Sequence, residues 1–302
     1  MSRLRTRWPI ISLTLILFLA VGLRLYGVDF GLPYEYHPDE WKHVHIVADM
    51  FRQGGLNPGW FKKPSLYFYL LALAYAVYFP LSAMQGRSTS LSSLAETIVE
   101  NEGFVADPLS LLWARIFFAF FGILTILAVY LIGRRFHNRY VGLLAALFLA
   151  VAPAHAVLQS HAVNADAPMI FFLMLSLAFC SLALEAGKGR DYALAGLFVG
   201  LATSIKYNGL VAAILLVATY LLTPRKVKAL RNLVIGLASV GVGFLLGTPF
   251  AILTPQQFFR EATYELQHYS GGHVGYEGSS WLFYARYLLH DAGELMVGLG
   301  IV

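Results

Sequence analysis

The chain has 302 residues, of which 58% are hydrophobic and 13% charged, with a formal net charge of +5 at pH 7. Apolar runs recur along its whole length, which excludes a soluble domain built round one core and indicates a polytopic membrane protein with room for about eight spans of roughly 20 residues. The positive balance lies in short Lys/Arg clusters without long basic runs, so it reads as loop charge and not as a nucleic-acid surface; the single cysteine, Cys180, excludes an internal disulfide and paired-cysteine zinc sites.

Arg3, Arg5 and Arg7 precede the first apolar run, residues 9–26. The run is longer than a signal-peptide core and lacks a small-residue cleavage site, so it is expected to be a retained anchor. His37-Pro38-Asp39-Glu40 follows it. Proline in a first turn and acids near the positive helix end predict a helix from Pro38 to about Phe51, stopped by Gln53-Gly54-Gly55. Trp41, Val44, Ile46, Val47, Met50 and Phe51 give that helix an apolar side, so it is expected to lie on the membrane. Asp39 and Glu40 complement the helix dipole. That alone does not explain the clustering of His37, His43 and His45 beside them, and ionisable groups at a bilayer surface are functional candidates.

Lys62-Lys63-Pro64-Ser65 opens the run 64–84, which is apolar enough to cross but rich in tyrosine and interrupted by Pro80. If it lies in the interface, the clusters Arg3/Arg5/Arg7, Arg134/Arg135/Arg139, Lys188/Arg190 and Arg225/Lys226/Lys228/Arg231 all fall on the cytoplasmic side, as the positive-inside rule requires; if it crosses, the last three flip outward. Tyr67, Tyr69, Tyr75 and Tyr78 also suit headgroup depth. The remaining spans are then 109–133, 140–157, 167–186, 192–205, 210–222, 233–247 and 281–302. A large first outer loop, residues 28–108, carries interfacial helices. The chain reads as one membrane-embedded module, residues 1–302, and since it stops inside an apolar run it is expected to be the N-terminal part of a longer protein.

Lys63 either snorkels to headgroups or holds a lipid-linked phosphate. His161 and Asp166 bracket Asn164 at an outer junction, where Asp166 is either a helix cap or a functional acid. Lys206, at the tip of a hairpin with Asn208-Gly209, is deep in apolar sequence and needs a partner or an anion. Residues 254–280 carry Glu261, Glu265 and His268 at helical spacing, with His273 beyond; they form a solvated face or a metal site. The glycines there suit a mobile flap.

In this order the residues resemble glycosyltransferase family 39, the dolichyl-phosphate-mannose protein mannosyltransferase and aminoarabinose transferase superfamily. The carriers are one span, then Asp39-Glu40 in a large outer loop, then Lys63-Pro64-Ser65-Leu66-Tyr67. Arg115 opens the next span, which ends at Gly133-Arg134-Arg135, and Ser160-His161 with Asp166 follows. Ser65 replaces a family proline, and His161 stands where arginine is common. The resemblance implies an all-α, polytopic helical bundle of the C-type glycosyltransferase fold in the cell membrane. Its reaction would transfer a sugar from a polyprenyl-phosphate donor to a hydroxyl acceptor on protein, lipid or glycan, with inversion, on the extracytoplasmic side. It implies Asp39 as base with Glu40 assisting, Lys63, Arg115 and Lys206 on the donor phosphate, and His37, His161, Asp166 and His273 in support. No metal is required by such chemistry; a divalent ion on the carboxylates or His273 stays open. A transporter or flippase of a lipid-linked sugar or anion is the alternative from another class, and a non-catalytic subunit of an envelope complex a third.

Overall fold

The computed structural model describes residues 2–34, 37–99, 107–157, 160–224, 229–270 and 279–286. The chain is all-α, without a β-strand among the described residues. In order it forms α1 (Ser2–Leu25), α2 (Pro38–Gln53), α3 (Ser65–Met84), α4 (Leu91–Ile98), α5 (Pro108–Phe136), α6 (Arg139–Val151), α7 (Pro153–Val157), α8 (Asp166–Ala186) and α9 (Gly189–Thr203). A 3-10 helix (Tyr207–Ala213) then leads into α10 (Ile214–Leu222), followed by α11 (Leu230–Gly247), α12 (Phe250–Leu253), α13 (Pro255–Ser270) and α14 (Ser280–Arg286). Residues 287–302, most of the last expected span, and His273 lie outside the described residues.

Among the described residues, five helical stretches are long and apolar enough to cross a bilayer: Trp8–Leu25, Ser65–Met84, Pro108–Phe136, Asp166–Ala186 and Leu230–Gly247. The multi-pass membrane character follows, since such runs need a lipid or protein surrounding. The helices outside the first loop alternate in direction. One end of the bundle gathers the end of α1, the start of α5, the α7–α8 junction, the tip after α9 and the end of α11. The other end carries the tight turns α5–α6 and α8–α9. There Arg135 pairs with Glu185 at 2.6 Å, and Asn232 donates to the Gly187 carbonyl at 2.6 Å.

The helix α3 is long enough to span, yet both of its ends touch the same end of the bundle. The Ser65 amide donates to Thr248 Oγ1 (3.2 Å) and the Leu66 amide to the Ser204 carbonyl (3.0 Å), at the ends of α11 and α9. More than three turns later Tyr78 donates to the carboxylate of Asp107 (2.6 Å), the residue that caps α5. About 20 Å of helix therefore runs across one end of the bundle. Tyr67, Phe68, Leu71, Tyr75 and Tyr78 pack there with Val47, Met50, Leu94, Leu111 and Phe118 into one buried core, so α2, α4 and the start of α5 are locked to α3.

Two close approaches set the rest of the bundle. A Cβ on Gly200 would collide with the Val240 carbonyl, so α9 and α11 pack backbone to backbone. Gly209 lets the hairpin tip fold back on Ala202 and Thr203, where a Cβ would come within 2.7 Å of backbone. This puts Lys206 at the crowded end of the bundle.

Candidate active site

The local sequence of α2 positions its acids. His37 Nδ1 accepts from the Asp39 amide (3.3 Å), Pro38 occupies the first turn, and Gly54 at φ 62° closes the helix with its amide turned back to α2 carbonyls. Adjacent residues on a helix point about 100° apart. Asp39 therefore projects outward, its side chain 54% exposed, while Glu40 turns into the core at 4%.

Glu40 is saturated. Arg115 Nε (3.0 Å) and Nη2 (2.7 Å) hold its two oxygens as a fork, and the Val163 amide donates to Oε1 at 2.7 Å. The same guanidinium donates through Nη1 to the carbonyls of Val28 (3.0 Å) and Phe30 (2.8 Å). Arg115 is 1% exposed. This departs from the expectation of a phosphate ligand: Arg115 ties the first loop, α2 and the α7–α8 junction together, and Glu40 is its counter-ion. The physical reason is burial, because a desolvated guanidinium needs a fixed anion and hydrogen bonds to every face.

Asp39 has a different partner. Lys63 Nζ lies 3.1 Å from its Oδ2 and 3.1 Å from His43 Nε2. His43 Nδ1 is 2.9 Å from the Tyr67 hydroxyl, which donates onward to the Val163 carbonyl at 3.1 Å. Burial pushes the Asp39 carboxyl up, but the charge and hydrogen bond of Lys63 outweigh this and hold it below the ordinary carboxylate value. Burial, with the Lys63 charge next, holds His43 well below its ordinary value, so the ring is neutral at neutral pH. Burial also lowers the Lys63 ammonium, against the pull of Asp39. With one partner more than half exposed, the Lys63–Asp39 pair contributes at most about 1 kcal/mol.

A second pair stands across a cleft. Lys206 Nζ is 2.7 Å from Asp166 Oδ1, and Asp166, the first residue of α8, has its own amide held by Asn164 at 2.9 Å. Lys62, Lys63, Pro64, Lys206, Tyr207, Asn208 and Glu265 line the cleft, about 50 Å³ in volume. It is a concave place with three ammonium side chains at its walls. Lys63 and Lys206, far apart in sequence, are thus brought together, and Lys62 joins them with its ammonium 4.1 Å from the centre of the Tyr264 ring.

Other expectations resolve differently. His161 donates through Nε2 to the Tyr26 carbonyl (2.9 Å) and stacks near Phe30, so it fastens the start of the first loop. Glu261 does not present a solvated face. Its Oε2 accepts from the Phe61 amide, Gln257 donates to the Gly59 carbonyl (2.7 Å), and Tyr207 donates to the Phe61 carbonyl (2.7 Å). Together these clamp the loop that carries Lys62 and Lys63. Among the described residues no group of three or more His, Cys, Asp or Glu side chains gathers as for a metal ion. Sequence reasoning missed the roles of His43, Tyr67, Tyr207 and Glu261. The one signal available was the grouping of His43 with His37 and His45.

Residues 109–256 match the family described as dolichyl-phosphate-mannose-protein mannosyltransferase. That segment holds Arg115, His161, Asp166 and Lys206; Asp39 and Lys63 precede it. No curated protein matches the chain in sequence. The fold is similar to the apo oligosaccharyltransferase of Archaeoglobus fulgidus, with a TM-score of 0.61 at 15% identity over 97% of this chain and 38% of that one. It is also similar to the same organism's oligosaccharyltransferase AglB in complex with an inhibitory peptide and a dolichol-phosphate, with a TM-score of 0.58 at 16% identity over 99% of this chain and 38% of that one. The chain thus spans well under half the length of the structures it resembles. The chain thus shares its all-α fold with these membrane oligosaccharyltransferases along nearly its whole length, and residues 109–256 resemble the mannosyltransferase family in sequence.

Proposed function

We propose that the protein is a membrane glycosyltransferase that moves a sugar from a polyprenyl-phosphate donor to a hydroxyl acceptor. The observation that carries this reading is an exposed carboxylate, Asp39, beside a cleft walled by Lys62, Lys63 and Lys206. Asp39 accepts the acceptor's hydroxyl proton as the oxygen attacks the anomeric carbon, and the bond from that carbon to the phosphate oxygen breaks, with inversion. Lys63 and Lys206 offset the negative charge that grows on the departing phosphate. Glu40 and Arg115 hold α2 in place without touching the reacting atoms.

The donor class is supported by the family description, which names a dolichyl-phosphate sugar, and by the dolichol-phosphate bound in the similar AglB complex. The acceptor is a hydroxyl of a protein, lipid or glycan. Arg134, Arg135, Arg139, Lys188 and Arg190 sit at the end opposite the cleft, so the positive-inside rule favours an extracytoplasmic site in the cell membrane. The reaction needs no metal, because phosphate is already a good leaving group. The test is mass spectrometry of lipid-linked sugars and envelope glycans in cells with and without the protein. Accumulation of one polyprenyl-phosphate sugar in the deletion, with loss of one glycan, is the expected result; unchanged profiles of both would contradict the reading.

A further inference from the structure

We propose that Lys63 is a charge shuttle: its ammonium passes from Asp39 to the departing phosphate during transfer and returns to Asp39 to release the product. This rests on the glycosyl-transfer reading above and assigns Lys63 a role beyond that of a static phosphate ligand.

The starting point is a conflict. Both lysines that would grip a phosphate are already paired with carboxylates, Lys63 with Asp39 at 3.1 Å and Lys206 with Asp166 at 2.7 Å. The two pairs are not equivalent. Asp166 keeps its charge throughout the reaction, whereas Asp39, as the base, loses its own.

The charges balance as follows. Before transfer, Asp39 carries one negative charge and the donor phosphodiester another. The acceptor proton goes to Asp39, the acceptor oxygen bonds to the anomeric carbon, and the electron pair of the broken carbon–oxygen bond goes to the phosphate. Afterwards Asp39 is neutral and the phosphate is a monoester of about −1.5 to −2 at neutral pH. One negative charge has left one neighbour of Lys63 and appeared on the other. An ammonium that lines the cleft and also touches Asp39 follows it.

His43 gives that movement a pivot. The Tyr67 hydroxyl donates to the Val163 carbonyl, so its oxygen accepts from His43 Nδ1–H. His43 Nε2 is then a neutral acceptor for Lys63 Nζ at 3.1 Å, on a ring that is 2% exposed. Lys63 keeps this bond while its other two N–H groups choose between carboxylate and phosphate. When Asp39 later gives its proton to water, the restored carboxylate draws Lys63 back and weakens the hold on the product.

The experiment is a double-mutant cycle on the affinity of geranylgeranyl monophosphate, a product-like probe, for the protein in nanodiscs at neutral pH. Asp39→Asn imitates the protonated base and leaves Lys63 free for phosphate, and since Asp39 is largely exposed the variant is expected to fold as wild type. The shuttle predicts binding roughly three- to fivefold tighter in Asp39→Asn, and no such gain when Lys63→Gln is also present. A gain that persists in the Lys63→Gln background would mean simple repulsion between Asp39 and phosphate and would overturn the shuttle. So would unchanged affinity in Asp39→Asn while Lys63→Gln weakens binding, an outcome that leaves the phosphate cleft standing. If neither Lys63→Gln nor Lys206→Gln weakens binding, the glycosyl-transfer reading of the cleft fails as well.

Discussion

Asp39 and Glu40 are consecutive carboxylates that live in opposite environments: the first meets solvent and an ammonium at 3.1 Å, the second is sealed against Arg115 with a contact of 2.7 Å. A rotation of about 100° about the helix axis divides the pair into a carboxylate that faces solvent and one that holds the architecture.

The buried half makes a stability prediction. Removing either partner strands a desolvated charge, so Glu40→Gln and Arg115→Met should each destabilise the fold by about 3–5 kcal/mol. The double change Glu40→Leu with Arg115→Met should recover much of that loss. Chemical denaturation in detergent measures both; single variants as stable as wild type would remove the structural role.

Lys63 keeps the Asp39 carboxyl below its ordinary value against the upward push of burial. A base works when deprotonated, so activity falls as pH drops through its pKa. In Lys63→Gln the largest counterweight to burial is gone, with only the weaker pull of His43 and His37 left, and the acid limb of kcat/KM should move to higher pH. A limb that stays in place would separate Lys63 from the base.

His43 titrates well below its ordinary value near 6.5 because it is buried beside Lys63. For a group with a depressed pKa the unfolded chain binds the proton first, so its stabilising effect is present above about 6.5 and is lost as pH falls towards the folded value. Thermal melts of wild type should therefore drop on acidification from neutrality, and His43→Asn should flatten that dependence. Identical pH profiles would contradict it.

The backbone contact between α9 and α11 leaves no room at Gly200. Gly200→Ala should cost about 1–3 kcal/mol through overpacking, despite the better helix propensity of alanine. A melting temperature equal to or above that of wild type would show that the helices can part without strain.

Where the determinants are local, the sequence was readable. The ends of α2 follow from His37-Pro38 and Gly54, and the hairpin tip from Lys206-Tyr207-Asn208-Gly209 between two apolar runs. The course of α3 across one end of the bundle is not legible in its own residues, whose length and hydropathy also fit a span. What failed was non-local. Arg115 finds Glu40 at a separation of 75 residues, and Glu261 finds Phe61 at 200, so spacing cannot tell a buried clamp from a ligand or a solvated acid. His43 was visible as one of three clustered histidines, but its neutral state depends on Lys63 and Tyr67 folding around it.

The central claim is that Asp39 is the base. Its most direct test is the turnover of Asp39→Asn in proteoliposomes, followed as release of free polyprenyl phosphate, with donor binding measured alongside. Transfer should fall by about 10²–10⁴-fold while the donor still binds. Turnover within about twofold of wild type, a loss too small for a general base, would contradict the account.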